Sequence, residues 1–164
     1  MAPLPLLPSP AWALLAALLL ASAAADAPSV ADQAKSQQPP PPPCHLAGMW
    51  VNELGSRMVL SAANEAGVFS GSYLTAVSDA NGAITESPLQ GAQHHPARAA
   101  QPTFAFTVHW RFSDSTTAFV GQCFVDEQGE ETLETLWLLR KKVASRAEDW
   151  KATLVGKNVF MRVK

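Results

Sequence analysis

The sequence has few of the residue types on which chemistry depends. Its four histidines show no ligand spacing with another histidine, a cysteine or a carboxylate, so we predict no metal site. No histidine base accompanies a serine or cysteine nucleophile, and an enzyme is therefore the least expected class. Charged residues make up only 16% of the chain and the formal net charge is −2, so nothing indicates the dense basic face that binding to nucleic acid or an anionic membrane requires. These absences favour a binding or structural protein without a cofactor.

Long apolar runs are also rare, and the clearest one lies near the start of the chain. Residues 11–20, AWALLAALLL, are too few to span a bilayer, and the small residues at 21–25 are typical of a cleavage site. We predict that residues 1–25 are a secretory signal and that the protein is secreted and extracellular. No membrane association is expected after the signal is removed. A signal anchor is the alternative interpretation.

The segment after the predicted signal is poor in residues that form a core. Residues 26–43 consist mainly of Ala, Ser, Gln and Pro and end in five consecutive prolines that begin at Pro39. Such a segment buries too little apolar surface to offset the entropy of ordering, and the prolines favour an extended spacer. We predict a disordered tail, with a proline-rich docking ligand as the alternative.

Cysteine is limited to two residues, Cys44 and Cys123. In a secreted protein such a pair is predicted to form a disulfide, and two buried free thiols are the alternative. The residues from 44 to 164 are enough for one domain with a single modest core.

The most informative stretch is 103–124, TFAFTVHWRFSDSTTAFVGQCF. Its first half alternates with a period of two, which places Phe104, Phe106, Val108, Trp110 and Phe112 on one face of a strand. A second alternating run follows the turn signal at 113–115, so the two runs predict an antiparallel hairpin. The turn-proximal end mixes large aromatic rings with hydroxyl groups, a composition more typical of a small-molecule pocket than of a core.

The rest of the domain contains further short runs separated by turn residues. The eight predicted strands span 48–53, 57–63, 68–77, 87–93, 103–112, 116–125, 130–140 and 151–163. Most connections allow only hairpins, and 144–149 is long enough for one helical turn. We predict an all-β fold, an eight-stranded antiparallel up-and-down barrel, whose interior holds side chains or one small ligand.

Parity selects the side chains that would face this interior. If Trp110 and Phe112 point inward, aromatic and neutral polar residues recur at the same parity on the other strands: Trp50, Asn52, Leu54, Tyr73, Thr75, Val77, Trp137, Leu139, Asn158 and Phe160. The seventh strand is ambiguous, because Leu136 and Leu138 on its opposite face are equally apolar. An apolar outer face on a barrel usually packs against another subunit.

At this point the residues resemble a known family, the vertebrate avidins. The segments that carry the resemblance are CHLAGMWVNELGS at 44–56, GSYLTAV at 71–77, ESPLQG at 86–91, QPTFAFTVHWRFSDSTTAF at 101–119, GQCF at 121–124, TLWLLR at 135–140 and DWKATLVGKNVF at 149–160. They follow one another in order through residues 44–164. The resemblance implies an eight-stranded avidin-like barrel, assembled as a homotetramer, that binds biotin at its open end.

The resemblance also assigns roles to polar residues. The donors to the ureido oxygen would be Asn52, Ser56 and Tyr73. The acceptors from the ureido nitrogens would be Thr75 and Asn158, and Thr117 would face the thioether sulfur. The valeryl carboxylate would be held by Ser78, Ser113 and Ser115, with backbone amides near Asp79 and Ala80.

The apolar part of the implied site is formed by aromatic and aliphatic walls. The aromatic walls would be Trp110, Phe112, Phe119 and Trp137, and the aliphatic contacts Leu54, Val77 and Leu139. Members of the family also lend a tryptophan to a neighbouring subunit, and Trp150 stands at that position.

Two departures from the family pattern affect these expectations. Asp79 brings a negative charge close to where the ligand carboxylate would lie. Lys157 replaces an apolar residue at a two-fold contact, beside Leu136 and Val155, so we expect one weakened subunit interface. Two other functions stay open: a lipocalin-like carrier of an apolar ligand, since Gly48 and Trp50 fit the Gly-x-Trp of lipocalins, and a weak-binding structural homologue.

Overall fold

The computed structural model describes residues 42–94 and 100–164. The predicted signal and nearly all of the predicted tail lie outside these ranges. The strands are β1 (Gly48–Asn52), β2 (Arg57–Leu60), β3 (Val68–Leu74), β4 (Ser87–Gln93), β5 (Thr103–His109), β6 (Ser115–Val125), β7 (Glu131–Lys141) and β8 (Thr153–Arg162), with a 3-10 helix at Arg146–Lys151 before β8. Among the described residues, no helix has the length and apolar character needed to cross a bilayer.

The eight strands form one closed barrel in which each strand pairs with its neighbours in sequence. The barrel closes where β1 pairs antiparallel with β8, with Trp50 opposite Arg162 and Asn52 opposite Phe160. The predicted fold class is thus confirmed. Closure leaves no free sheet edge, and it brings the ends of β1, β3, β5 and β7 and the starts of the even-numbered strands to one end of the barrel.

Strands β3 and β5 end three residues earlier than predicted, at Leu74 and His109. After Leu74 the side chain of Thr75 forms hydrogen bonds with both the N–H and the carbonyl of Val77, which replaces the ladder by a local turn. After His109 the N–H of Trp110 donates to the Ser115 carbonyl across the hairpin turn. The polar residues near these strand ends therefore lie at the rim of the barrel.

Alternation along the strands separates a buried inner face from an exposed outer face. Phe104, Phe106 and Val108 of β5 are buried, as predicted from their parity. The aromatic rings form a continuous stack inside the barrel, with Phe106 and Phe119 centred 4.6 Å apart and nearly parallel. This stack fills the interior on the side away from the rim.

The other end of the barrel is closed by side chains. Trp50 is fully buried and its indole N–H donates to the Leu46 carbonyl at 2.8 Å. The guanidinium of Arg162 lies over the Trp50 ring, 4.3 Å from its centre, and forms an ion pair with Glu131. The barrel is consequently plugged at this end and can admit a ligand only from the opposite one.

The predicted disulfide joins Cys44 to Cys123, whose Cα atoms are 5.9 Å apart. It ties the segment before β1 to the interior face of β6. Both cysteines are buried. The disulfide therefore belongs to the closed end of the barrel, away from the rim.

Candidate ligand-binding site

A cavity of about 600 Å³ opens at the end of the barrel where β1, β3, β5 and β7 end. The residues that line it are Asn52, Leu54, Ser56, Tyr73, Thr75, Val77, Ser78, Asp79, Ala80, Trp110, Phe112, Ser113, Asp114, Ser115, Thr117, Phe119, Trp137, Leu139, Lys141, Lys142, Leu154 and Asn158. Every residue predicted from sequence to contact the ligand, except Trp150, is among them. The volume suits one small molecule.

At one side of the cavity, Asn52 and Ser56 present hydrogen-bond donors. The Asn52 Oδ1 atom accepts from the backbone N–H groups of Leu54, at 3.1 Å, and Ser56, at 2.9 Å. Its amide nitrogen is therefore the end available to a ligand. The Ser56 Oγ atom accepts from the N–H of Ala76 at 3.0 Å, which leaves its hydroxyl proton to donate to Tyr73 or to a molecule in the cavity.

Tyr73 supplies the third donor beside these two residues. Its ring is buried, and this burial raises the pKa of the Tyr73 phenol, with the nearby Glu53 carboxylate acting in the same direction and a hydrogen bond with Ser56 opposing it. The phenol is consequently neutral at physiological pH. It can donate a proton to a ligand acceptor.

The acceptors lie at Thr75 and Asn158. The Thr75 hydroxyl donates to the Val77 carbonyl at 2.7 Å and its oxygen accepts from the Val77 N–H at 3.3 Å, which leaves one lone pair to accept from a molecule in the cavity. The Asn158 Nδ2 atom donates to Glu53 Oε1 at 2.6 Å, while the backbone N–H of Val159 donates to Oε2 at 3.0 Å. Glu53 thus fixes the amide of Asn158 with its oxygen toward the cavity.

Glu53 was not predicted from sequence as a functional residue. Partial burial raises the pKa of its carboxyl, but the hydrogen bonds from Asn158 and from backbone N–H groups, with the charge of Lys157, lower that pKa more, and the net shift is downward. The carboxylate therefore keeps its charge at neutral pH. It also lies 105 positions from Asn158 in sequence, so no local pattern indicated the contact.

Aromatic side chains wall the middle of the cavity. The indole N–H of Trp110 donates to Thr117 Oγ1 at 2.8 Å, which fixes the ring and leaves the Thr117 hydroxyl proton free to donate. Trp137 lies flat against Gly156 of β8, where an added Cβ would stand only 2.4 Å from the indole. Glycine at this position is what allows the Trp137 ring to approach the strand closely.

The rim carries hydroxyl groups and half-exposed aliphatic side chains. Ser113 and Ser115 share a hydrogen bond between their hydroxyls at 2.6 Å, and the Ser78 hydroxyl oxygen accepts from the N–H of Ala80 at 3.0 Å. Leu54 and Val77 face the cavity as parity predicted, but both are about half exposed because nothing in the described part of this single chain covers the mouth.

Sequence reasoning also missed a group of residues at the rim. These are Asp114, Lys141, Lys142 and Leu154. A turn aspartate and a pair of lysines at a strand end carry no local signal for a pocket.

Trp150 does not reach the cavity of its own chain. It lies on the 3-10 helix and is 84% exposed, the largest exposure among the large hydrophobic side chains of the described ranges. An indole that is so largely exposed is unusual on the surface of a monomer.

The residues of the described ranges contain no group of three or more His, Cys, Asp or Glu side chains arranged to hold a metal ion. The polar groups of the cavity are neutral hydroxyls and amides at its base and ion-paired charges at its rim. The arrangement is suited to binding a neutral polar ring through hydrogen bonds.

Comparison with known proteins extends this description. A family model described as "Avidin family" matches residues 40–163. Among characterised proteins, the chain is 53% identical to avidin-related protein 4/5 of Gallus gallus over 89% of this chain and 90% of that protein. It is 52% identical to avidin of the same species over 74% of this chain and 80% of that protein.

Solved structures give the same result. A biotin binding protein from chicken is 62% identical and superimposes with a TM-score of 0.71, covering 74% of this chain and 98% of that one. Xenavidin is 46% identical with a TM-score of 0.70, covering 74% of this chain and 99% of that one.

Proposed function

The chain belongs to the avidin family, and from this premise we propose that it is a secreted protein that binds biotin with high affinity in the cavity at the open end of its barrel. Avidins bind biotin as a ligand, need no cofactor and are not enzymes. In this role the protein carries or sequesters biotin and performs no chemistry on it.

The observation that supports the proposal is the polarity at the base of the cavity. Three groups at the base carry donor protons, namely the Asn52 amide nitrogen, the Ser56 hydroxyl and the Tyr73 phenol, and the last two are also hydrogen-bond partners of each other. Two are left as acceptors, the Thr75 and Asn158 oxygens. This is the complement of a planar urea, which offers one strong acceptor oxygen and two N–H donors.

Neutral groups suit this task better than ions. Hydroxyls and amides that are already oriented by backbone partners cost less to desolvate than charges, and little entropy is lost in positioning them when the ligand binds. Three donors converging on one oxygen also stabilise the polarised form of a urea. The Thr117 hydroxyl would donate to the thioether sulfur, and the Trp110 and Phe119 rings would contact the bicyclic ring.

Tryptophan fluorescence tests the proposal. Two tryptophans, Trp110 and Trp137, line the cavity, so titration of the mature protein with biotin is expected to give a saturable change in emission. A lipocalin-like carrier would instead respond to an apolar ligand such as a fatty acid and not to biotin. A structural homologue would respond to neither ligand.

We further propose that the chain assembles as a homotetramer. The outer faces of β6, β7 and β8 expose Val120, Leu136 and Val155, between 57% and 72% each, and an apolar outer face of this kind favours burial against a second copy. The exposed Trp150 would then extend to a neighbouring subunit and cover its cavity. Such a contribution would account for a mouth that a single chain leaves half open.

Lys157 interrupts this apolar face and supports a prediction about assembly. It pairs in register with Leu136, and Leu136 pairs with Val120, so the lysine lies among the exposed apolar side chains. Across a two-fold axis two lysines bring like charges together, a repulsion that salt screens as the Debye length falls from about 10 Å at 0.1 M to about 3 Å at 1 M. We expect the tetramer to dissociate more readily at low salt than at high salt, and Lys157→Ile to abolish the difference.

Light scattering at micromolar and lower protein concentration measures this effect. Lys164→Ile is the matched control, because Lys164 lies after the end of β8, away from the apolar face, and pairs with Glu130. A wild-type tetramer that is equally stable at both salt concentrations would contradict the prediction.

Secretion and the domain limits form part of the proposal. The apolar run at 11–20 with its small-residue flank supports a signal that ends near residue 25, and the disulfide between Cys44 and Cys123 is typical of an oxidising compartment. Amino-terminal sequencing of secreted protein is expected to begin near Asp26, followed by the proline-rich tail and the barrel domain of 44–164.

A further inference from the structure

The cavity mouth carries two ion pairs that no sequence motif indicated. Lys141 pairs with Asp79, and the Nζ atom of Lys142 lies 2.9 Å from a carboxylate oxygen of Asp114. The first pair joins the end of β7 to the loop between β3 and β4, across the opening. A hydrogen bond from Lys141 is the main cause that lowers the pKa of Asp79, and it outweighs the opposing effect of partial burial. Asp79 therefore stays charged and paired.

Lys141 is also placed beside the hydroxyls that would hold a ligand carboxylate. It is the last residue of β7 and pairs in register with Ser115 of β6. Residues directly opposite one another on antiparallel strands have Cβ atoms about 5 Å apart and on the same face. Ser115 is in turn hydrogen-bonded to Ser113 at 2.6 Å. The lysine side chain thus extends from the position directly opposite one member of this hydroxyl pair.

The two partners of this ion pair differ in how firmly they are held. The backbone N–H of Lys141 donates to the Ala152 carbonyl at 2.8 Å, and the lysine side chain is 35% exposed. The Asp79 side chain is 69% exposed and lies in a twelve-residue loop, 75–86, between the end of β3 and the start of β4. When a second carboxylate enters, the aspartate is the partner that can move away while the lysine stays.

The carboxylate of the ligand and the carboxylate of Asp79 would compete for the same ammonium group and hydroxyls. Asp79 would repel the ligand's carboxylate unless Lys141 also binds that carboxylate. Lysine offers three N–H donors, so it can bind both carboxylates or exchange Asp79 for the ligand. A neutral amide at the same position meets neither the repulsion nor the attraction. The pair therefore sets how strongly the mouth distinguishes an acid from an amide.

We propose that Lys141 is a specificity-determining residue that binds the terminal carboxylate of the ligand by exchanging its partner Asp79 for it. The proposal rests on the proposed biotin-binding function and adds to it a cationic contact and an acidic competitor at the mouth. The binding of free biotin is then strengthened by attraction to Lys141 and weakened by repulsion from Asp79. The binding of biotin joined through an amide, as in a biotinylated lysine side chain, is then nearly unaffected by either residue.

Dissociation rates of two ligands from the mature protein test this directly. The ligands are biotin and biotinamide, in which a neutral amide replaces the carboxylate, and the quantity compared is the ratio of their dissociation rate constants. We expect Lys141→Gln to accelerate biotin release about fivefold relative to biotinamide, in line with a partly exposed charge contact. Asp79→Asn is expected to shift the ratio by a similar factor in the opposite direction, and 1 M salt to shrink both shifts.

Two further variants make the outcome specific. Lys164→Gln removes the same charge far from the mouth and is expected to leave the ratio unchanged. Lys142→Gln alters the neighbouring pair, whose side chains are 73% and 75% exposed, and should shift the ratio less than Lys141→Gln does. A ratio that is identical in wild type, Lys141→Gln and Asp79→Asn overturns the assignment, and so does a larger shift at Lys142 than at Lys141.

This test separates the inference from the function on which it rests. If wild type binds both ligands and the ratio does not respond to the variants, only the role of Lys141 is refuted. If wild type binds neither ligand, the proposed function fails, and the inference fails with it.

Discussion

Replacing Asn158 with alanine is expected to weaken biotin binding by about 3 kcal/mol, or roughly 150-fold. The residue is buried, and its oxygen is directed to the cavity because its amide nitrogen is held by Glu53 at 2.6 Å. The alanine variant would leave a ureido N–H buried without an acceptor, and the loss of that hydrogen bond is the source of the penalty. Competition with a labelled biotin measures the change.

A Glu53→Gln variant provides the matched comparison for Asn158→Ala. Glutamine keeps an oxygen acceptor for Asn158 but loses the charge, so a smaller loss of affinity is expected. Because the pKa of Glu53 is lowered from its ordinary 4.5, wild-type affinity should still hold at pH 4.5 and weaken only at lower pH, as the carboxylate is protonated. The glutamine variant should show no such weakening. An unchanged dissociation constant in a correctly folded Asn158→Ala protein would remove Asn158 from the site.

Removing the disulfide is expected to have the largest effect on stability. Cys44 and Cys123 are 79 positions apart, and closing a loop of that size contributes about 4.5 kcal/mol in the chain-entropy model. The segment it ties down also supplies the Leu46 carbonyl that holds Trp50 at the closed end. The double variant Cys44→Ser, Cys123→Ser should therefore unfold at a much lower urea concentration.

Urea unfolding at one fixed subunit concentration, with and without biotin, measures this difference. Fixed concentration matters because assembly contributes to the apparent stability. The wild-type protein treated with reductant should unfold at the same urea concentration as the double variant. An unchanged midpoint in the double variant would show that the closed end is held by packing alone.

Much of the barrel was predictable because alternation is a local signal. The period of two in 103–112 identified the inner face of β5, and Phe104, Phe106 and Val108 are buried as expected. Closure of the barrel could not be predicted from the sequence of any single strand. It depends on the pairing of β1 with β8, more than a hundred residues apart, and the expectation came from the number of strands and from the resemblance.

Parity and resemblance indicated the residues at the base of the cavity and their donor and acceptor roles, but not the partners that orient them. Which atom of Asn52 or Asn158 faces the ligand depends on the partners of the other atom, and those partners are a backbone turn and Glu53. The contacts at the mouth were likewise hidden, since Lys141 and Asp79 are 62 positions apart. Pairs of this kind arise from strand register and loop path, which no short motif encodes.

The most direct test of the proposed role is calorimetric titration of the purified mature protein with biotin. A cavity whose donors and acceptors complement a cyclic urea predicts a saturable, exothermic reaction with one biotin bound per subunit. Absence of saturable heat from a correctly folded protein would contradict the role proposed for this cavity.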